Sequence, residues 1–167
     1  MAELMKVFKE SFPPLRLIGR RYTDADRGSD GGFGHKWNEW FEKGGFEPLD
    51  QLGEDQQIGG GYVGCMRYMD GFEYWIGAFF PEGTPVPDGY EYVDIPAAEV
   101  GICWIYGSPD GELYGEEVHD MCQAAIDKAG WQIADEPWFF ELYNCPRFTT
   151  PDQEGKVILD YGVYLKG

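Results

Sequence analysis

Alternating runs of apolar residues predict a chain built mainly of strands. Short runs that are rich in aromatic and β-branched residues, and bounded by Gly, Pro or Asn, are typical of β-strands. Such runs occupy residues 15–22, 62–67, 72–80, 90–95, 100–106, 138–143 and 156–165. Asp70 and Gly71 separate the second run from the third and indicate a tight β-hairpin. The proline- and glycine-rich residues 81–89 predict a loop between two halves of the chain.

Two other segments have apolar residues three and four positions apart, which is the spacing of a helix face. The first stripe consists of Phe33, Trp37, Trp40 and Phe41. The second is longer and consists of Val118, Met121, Cys122, Ala125, Ile126 and Ala129. Gly44 and Gly130 are placed to stop these helices. Acids toward the start of the second helix and Lys128 at its end match the helix dipole.

The elements follow the order strand–helix–strand–strand, a linker, and the same order again. This order predicts an α+β fold of two pseudo-repeats, about residues 12–80 and 98–166. The repeats form antiparallel sheet with both helices on one side, which leaves the other side free for a ligand groove between the halves. With 167 residues, the expectation is a single domain over residues 1–167.

The chain carries 30 acidic and 13 basic side chains, a net charge of −17. This balance argues against nucleic-acid binding, because no basic stripe is present to neutralise phosphates. It favours cationic partners, although a surface kept acidic for solubility explains it equally well. Aromatic residues make up 17% of the chain, so some rings are expected to line a cavity or lie on the surface.

Cysteine usage and hydropathy indicate a reduced, cytoplasmic protein. Four scattered cysteines without a C-x-x-C motif are expected to be free thiols, and they are Cys65, Cys103, Cys122 and Cys145. Residues 1–12 lack the apolar run of a signal peptide, and no window reaches membrane-spanning length. We expect a monomer or a weak homodimer that does not engage a membrane.

No metal or cofactor is expected. His35 and His119 are isolated histidines without a second ligand at metal spacing, and Cys145 has no histidine partner by spacing. The glycine run at residues 59–61 lacks the lysine and helix of a phosphate loop and fits a hinge. Residues 28–34 have the composition of a lid or a disordered loop.

One carboxylate stands among aromatic residues in the strand 138–143. Phe139, Glu141 and Tyr143 share one face of that strand, and both faces are otherwise apolar. A buried, ionised Glu141 costs several kcal/mol unless it finds a cation, a hydroxyl or a ligand, or takes a raised pKa. Such a residue suits a pocket for a lipophilic cation, or a general acid or base. The alternative is an edge strand on which Glu141 faces water or an arginine, because charged residues are mostly exposed.

The chain resembles the GyrI-like small-molecule-binding domain, which is also the effector-binding part of AraC-type and MerR-type multidrug regulators. The resemblance rests on Glu73-Tyr74-Trp75-Ile76-Gly77, Ile95-Pro96-Ala97, Tyr106-Gly107 and Phe140-Glu141-Leu142-Tyr143. The order and spacing of these motifs cover nearly the whole chain. Residues 146–152 and Leu159-Asp160-Tyr161 resemble a stand-alone branch of the family rather than the tail of a regulator.

The resemblance implies a cavity between the two halves that takes bulky, aromatic and often cationic molecules, for sequestration or sensing of toxic compounds. Glu141 matches the family's buried glutamate, and Tyr74 and Tyr106 match tyrosines that hold the ligand. Some stand-alone members are hydrolases that open strained cyclopropane rings of DNA-alkylating natural products. In that alternative Glu141 activates a water molecule, and Tyr74 or Tyr106 donates a proton.

Other aromatic residues are candidate walls of the cavity, with ordinary core packing as the alternative. These candidates are Trp40, Trp75, Trp104, Phe139, Tyr143 and Tyr164. The pattern leaves open whether the face with Tyr74 or the face with Trp75 meets the cavity. Tyr161 and Tyr164 lie on opposite faces of the last strand, so at most one of them lines the site.

Overall fold

The computed structural model describes residues 2–29, 31–53, 58, 61–109, 113, 116–144 and 147–166. Their strands are β1 (Glu3–Phe12), β2 (Leu15–Thr23), β3 (Gly61–Tyr68), β4 (Phe72–Pro81), β5 (Glu91–Ile95), β6 (Ala98–Gly107), β7 (Phe139–Asn144) and β8 (Val157–Tyr164). Their helices are α1 (Gly34–Glu42), α2 (Glu47–Asp50) and α3 (Glu116–Lys128). A short 3-10 turn, Asp24–Asp26, follows β2. None of the described helices has the length and apolar character needed to cross a membrane.

All eight strands belong to one antiparallel sheet in the order β1-β6-β8-β7-β3-β4-β2-β5. The two halves, β2-α1-β3-β4 and β6-α3-β7-β8, meet in the middle where β3 pairs with β7. The predicted α+β fold and its two similar halves are therefore confirmed. The Asp70–Gly71 hairpin is also present, and Gly71 adopts a φ of 103°, which glycine adopts without steric cost.

Two elements are absent from the sequence-based prediction. The strand β1 interleaves charged residues with short apolar pairs and lies at an edge of the sheet, where it is largely exposed. It precedes the first half along the chain but pairs with β6 of the second half. In the same way, β5 precedes the second half but pairs with β2 of the first half. The short helix α2 lies within the predicted connection 46–61, with Pro48 in its first turn, where a missing N–H costs nothing. Gly59 and Gly60 of the predicted hinge lie outside the described residues.

The sheet buries apolar residues on both of its faces. The helix face packs against α1 and α3, and its strand residues include Ile18, Met66, Tyr74, Ile105, Phe139 and Tyr161. The far face carries a second buried cluster that includes Leu17, Cys65, Trp75, Ile102, Phe140 and Tyr164. Because side chains alternate along a strand, the register fixes which candidate site residues can meet.

Candidate functional site

Three acidic side chains are buried in the described part of the chain, and two of them are neutralised by arginine. Glu73 accepts from Arg67 at 3.0 Å and Arg21 at 3.1 Å, and from the indole N–H of Trp75 at 2.8 Å. Burial raises the pKa of Glu73, but these donors outweigh burial and the pKa is lowered. Asp160 accepts two hydrogen bonds from Arg147, at 3.0 and 2.7 Å.

Glu141 is the third buried acid, and it differs from the other two. Glu141 is only 8% exposed, and it forms no salt bridge with another described residue. The hydroxyl of Tyr143 donates a long hydrogen bond of 3.3 Å to Oε1. Burial raises the pKa of Glu141 to about 7, and the Tyr143 hydrogen bond opposes this rise. Near neutral pH the carboxyl is therefore poised between its neutral and charged forms.

The position of β7 explains the burial of Glu141. This strand lies in the middle of the sheet, between β3 and β8, and its residue 141 points to the helix face together with Phe139 and Tyr143. The direct cross-strand neighbours of Glu141 are Gly64 on β3 and Tyr161 on β8. A glycine on one side leaves room above the sheet, and a large phenol closes the other side.

Aromatic side chains from α1 and β4 fill the space above Gly64. Trp37 of α1 packs its ring edge-on against Tyr143, with centroids 5.0 Å apart, and donates its indole N–H to the Tyr74 hydroxyl at 2.8 Å. A methyl group at Gly64 would stand 2.7 Å from that hydroxyl oxygen. Tyr74 in turn stacks on Phe33 at 4.2 Å. Among the described residues, the neighbours of the Glu141 carboxylate are thus aromatic rings rather than cations.

The other side of Glu141 carries a histidine–tyrosine pair. Tyr161 Oη lies 2.6 Å from Nδ1 of His119, which projects from α3. Burial lowers the pKa of His119, so the neutral imidazole is favoured near pH 7, and its Nδ1 shares a hydrogen bond with the phenol. Burial also raises the pKa of Tyr161, and the negative charge of Glu141 adds to this rise. The two groups are therefore neutral and supply no positive charge to Glu141.

No protein-family model and no curated protein matches the sequence, but several solved structures resemble the fold. The protein SAV2435 bound to tetraphenylphosphonium has a similar structure, with a TM-score of 0.73 and 17% identity over 98% of this chain and 95% of that one. A candidate transcription regulation protein from Staphylococcus aureus MU50 has a TM-score of 0.69 and 18% identity over 98% of this chain and 99% of that one. An integron cassette protein of Vibrio cholerae has a TM-score of 0.55 and 10% identity over 99% of each chain.

This chain has the GyrI-like fold. The resemblance inferred from the sequence motifs is confirmed at that level. At these identities the likeness establishes the fold alone, so the chemistry of the site depends on the residues of this chain.

The GyrI-like sheet brings some of the predicted site residues together and separates others. Tyr74, Phe139 and Tyr143 lie on the helix face with Glu141. Trp40 lies on α1, but its indole donates to Tyr22 and it packs against Phe46 and Tyr90, away from β7. The cluster around Glu141 also includes Trp37, Gly64 and His119, which did not enter the predicted set. It includes Tyr161 as well, which the sequence left as the alternative to Tyr164.

The remaining predicted residues lie across the sheet. Trp75, Trp104 and Tyr164 belong to the far-face cluster, where Trp75 contacts Glu73 and Trp104 lies beneath Arg147. Tyr106 lies two residues after Trp104 on β6 and therefore shares its face, and its hydroxyl donates to Asp152. These four residues do not share a space with Glu141. The structure places Glu141 on the helix face, whereas the groove was expected on the side of the sheet opposite the helices.

Two of the surface cavities formed by the described residues flank the GyrI-like sheet, and Glu141 lines neither of these two. One, of about 370 Å³, lies beside α1 and includes Arg20, Trp40, Lys43 and Tyr90 in its walls. The other, of about 290 Å³, lies on the far face and includes Phe8, Trp104, Arg147 and Asp160. Among the described ranges, no three potential metal-ligating acids, histidines or cysteines converge. Cys145 lies outside those ranges.

Proposed function

We propose that this GyrI-like domain binds bulky hydrophobic cations at Glu141, for sequestration or sensing of toxic compounds. One observation carries the proposal: Glu141 is the one buried acid of the described residues that has no arginine beside it. A ligand that brings its own delocalised positive charge supplies the missing partner, and a lipophilic cation does so at a low desolvation cost.

The rings around Glu141 suit the same ligand. Trp37, Tyr74 and Tyr143 present aromatic faces and edges within the helix-face cluster, and a cation over such a ring gains up to about 2 kcal/mol when desolvated. The ligand takes the space that these side chains occupy in the closed site, so we propose that Trp37 and Tyr143 rotate away from Gly64 on binding. The tetraphenylphosphonium held by the structurally similar SAV2435 is a molecule of this class.

A matched pair of ligands tests the role of the charge. Methyltriphenylphosphonium and the neutral triphenylphosphine oxide have similar size and the same three phenyl rings. We expect Glu141→Gln to weaken binding of the cation at least tenfold near pH 8, because an ion pair in a buried site is lost, and to leave binding of the oxide almost unchanged. Isothermal titration calorimetry measures both affinities.

The control variant for this experiment is Glu82→Gln. Glu82 is an exposed acid in the loop after β4, so its replacement changes the net charge by the same amount without touching the site. Equal losses for the cation and the oxide in Glu141→Gln, or an equal loss of cation affinity in Glu82→Gln, would contradict the proposal.

The pKa of Glu141 favours a second candidate, a hydrolase that opens strained cyclopropane rings. A carboxyl with a pKa of about 7 is a competent general base near neutral pH. It would take a proton from a water molecule that attacks a carbon of a cyclopropane ring conjugated with a carbonyl group. The electron pair of the ring bond that breaks moves to the carbonyl oxygen, and a tyrosine donates a proton to the oxyanion that forms there. Tyr74 shares the helix face with Glu141, whereas Tyr106 lies across the sheet, so Tyr74 is the proton donor in this candidate.

Mass spectrometry separates this candidate from simple binding. A cyclopropane-bearing DNA alkylator incubated with the protein should gain the mass of one water molecule, and Glu141→Gln should abolish that product while the compound still binds. A compound that binds and is recovered unchanged from the wild-type protein would rule out hydrolysis for that class and leave binding as the function.

A further inference from the structure

The cavity beside α1 contains an arginine that has no carboxylate partner among the residues that the structure describes. All six arginines lie within the described residues; five of them form ion pairs with described acids, and Arg20 forms none with a described residue. Lys43, at the end of α1, also forms no ion pair with a described residue and lines the same cavity. Glu39 is the acid in the wall, and its carboxylate pairs with Lys36 at 3.4 Å. In a chain of net charge −17, two unpaired cations in one cavity need an explanation.

Aromatic rings form the rest of the wall, and hydrogen bonds fix their positions. Trp40 and Tyr90 meet edge to face with centroids 5.9 Å apart, and the Arg20 guanidinium lies 5.9 Å from the centre of the Tyr90 ring. The Trp40 indole N–H donates to the Tyr22 hydroxyl at 2.8 Å, and the Tyr90 hydroxyl donates to the carbonyl of Gly45. The cavity is therefore formed before any ligand enters.

We propose that this cavity is a second binding site, for a small aromatic carboxylate. The carboxylate lies between Arg20 and Lys43, where guanidinium offers two parallel N–H groups, and the ring of the ligand packs against Trp40 and Tyr90. The cavity volume of about 370 Å³ falls within the range of small-molecule sites, which is roughly 300–1,000 Å³. This ligand has the opposite charge to the one proposed for Glu141.

The two sites are separate. Arg20 lies on β2 and Glu141 on β7, with β4 and β3 between them, which corresponds to roughly 14 Å across the sheet. The overall negative charge opposes an approaching anion, but at physiological ionic strength of about 0.15 M charges are screened within about 8 Å. The charged groups in the wall therefore determine the local attraction, and these are Arg20, Lys43 and Glu39, whose carboxylate pairs with Lys36.

The test compares 2-naphthoate with 2-naphthamide, which replaces the carboxylate by a neutral group on the same ring. We expect calorimetry near neutral pH to give at least tenfold tighter binding of 2-naphthoate. Arg20→Gln should lower its affinity on the order of tenfold or more, as expected for loss of a charged hydrogen-bonding partner. Arg20 is exposed, so the variant is expected to fold. Lys9→Gln removes one positive charge from β1 at the opposite edge of the sheet and should change nothing.

Location is read separately from affinity. The indole N–H signal of Trp40 should shift on addition of 2-naphthoate, and Glu141→Gln should leave both the shift and the affinity unchanged. Equal binding of acid and amide, no binding at millimolar concentrations, or equal affinity of wild type and Arg20→Gln would each overturn the proposal. None of these results bears on cation binding at Glu141, so the two proposals fail independently.

Discussion

The Glu141→Gln variant is expected to be more stable than the wild-type protein by about 3 kcal/mol above pH 7. The folded protein holds the pKa of Glu141 at about 7, against 4.5 for an ordinary glutamate. Each unit of pKa shift corresponds to about 1.4 kcal/mol, so ionising this carboxyl in its closed site costs the folded state about 3 kcal/mol. Glutamine keeps the shape and avoids the charge.

The size of this stability difference changes with pH in a defined window. At pH 4 both the folded and the unfolded protein carry a protonated Glu141, so wild type and variant should have similar free energies of unfolding. Between pH 4.5 and 7 the unfolded chain releases the proton while the folded protein retains it, and the wild type loses stability relative to the variant. Above pH 7 the difference stays constant.

Urea unfolding at a series of pH values measures this difference, and Glu82→Gln serves as the control because its carboxyl is exposed. The control should follow the wild type across the whole pH range. A Glu141→Gln variant that is no more stable than the wild type at pH 8 would mean that the carboxyl finds a partner in the folded protein.

Affinity for a lipophilic cation should fall about tenfold per pH unit below pH 7, and reach roughly a 100-fold loss near pH 5. The reason is that a cation binds the ionised carboxylate, and below its pKa most of the protein holds that group protonated. The loss should level off at the affinity of Glu141→Gln, whose own binding of methyltriphenylphosphonium should hardly change over the same range.

Triphenylphosphine oxide provides the internal control for the pH series. Because it carries no charge, its affinity should stay constant or rise slightly as Glu141 becomes neutral. A parallel loss of affinity for the oxide and the phosphonium would indicate that acid alters the site as a whole, for example through His119, and not the charge of Glu141 alone.

Local patterns in the sequence were sufficient for most of the fold. The hairpin at Asp70–Gly71 and the helical stripe through Val118 and Ile126 are properties of neighbouring residues, and both are present. The edge strand β1 was missed because it faces solvent widely and interleaves charges with apolar residues, so it lacks the run that marks a buried strand.

The site was accessible to sequence reasoning only in part. Alternation along β7 correctly grouped Phe139, Glu141 and Tyr143 on one face, but no local pattern states which face the helices cover. That choice depends on the packing of α1 and α3, and it separates Tyr74 from Tyr106. A glycine inside a strand indicates that other groups approach the backbone closely. Gly64 is such a glycine, and it was the one local feature from which the aromatic contacts beside Glu141 could have been predicted.

Pairing between distant residues was beyond the sequence. Glu73, Glu141 and Asp160 are all acids in apolar strands, and only the register and the loops decide which of them meets an arginine. The distinction on which the proposed function depends is therefore a property of the assembled sheet.

The most direct measurement is an NMR titration of the Glu141 side-chain carboxyl, assigned by comparison with Glu141→Gln, with and without saturating methyltriphenylphosphonium. A pKa near 7 in the free protein that falls by about two units or more on binding is the result we expect. A pKa near 4.5 in the free protein, or one that the cation leaves unchanged, would contradict the account.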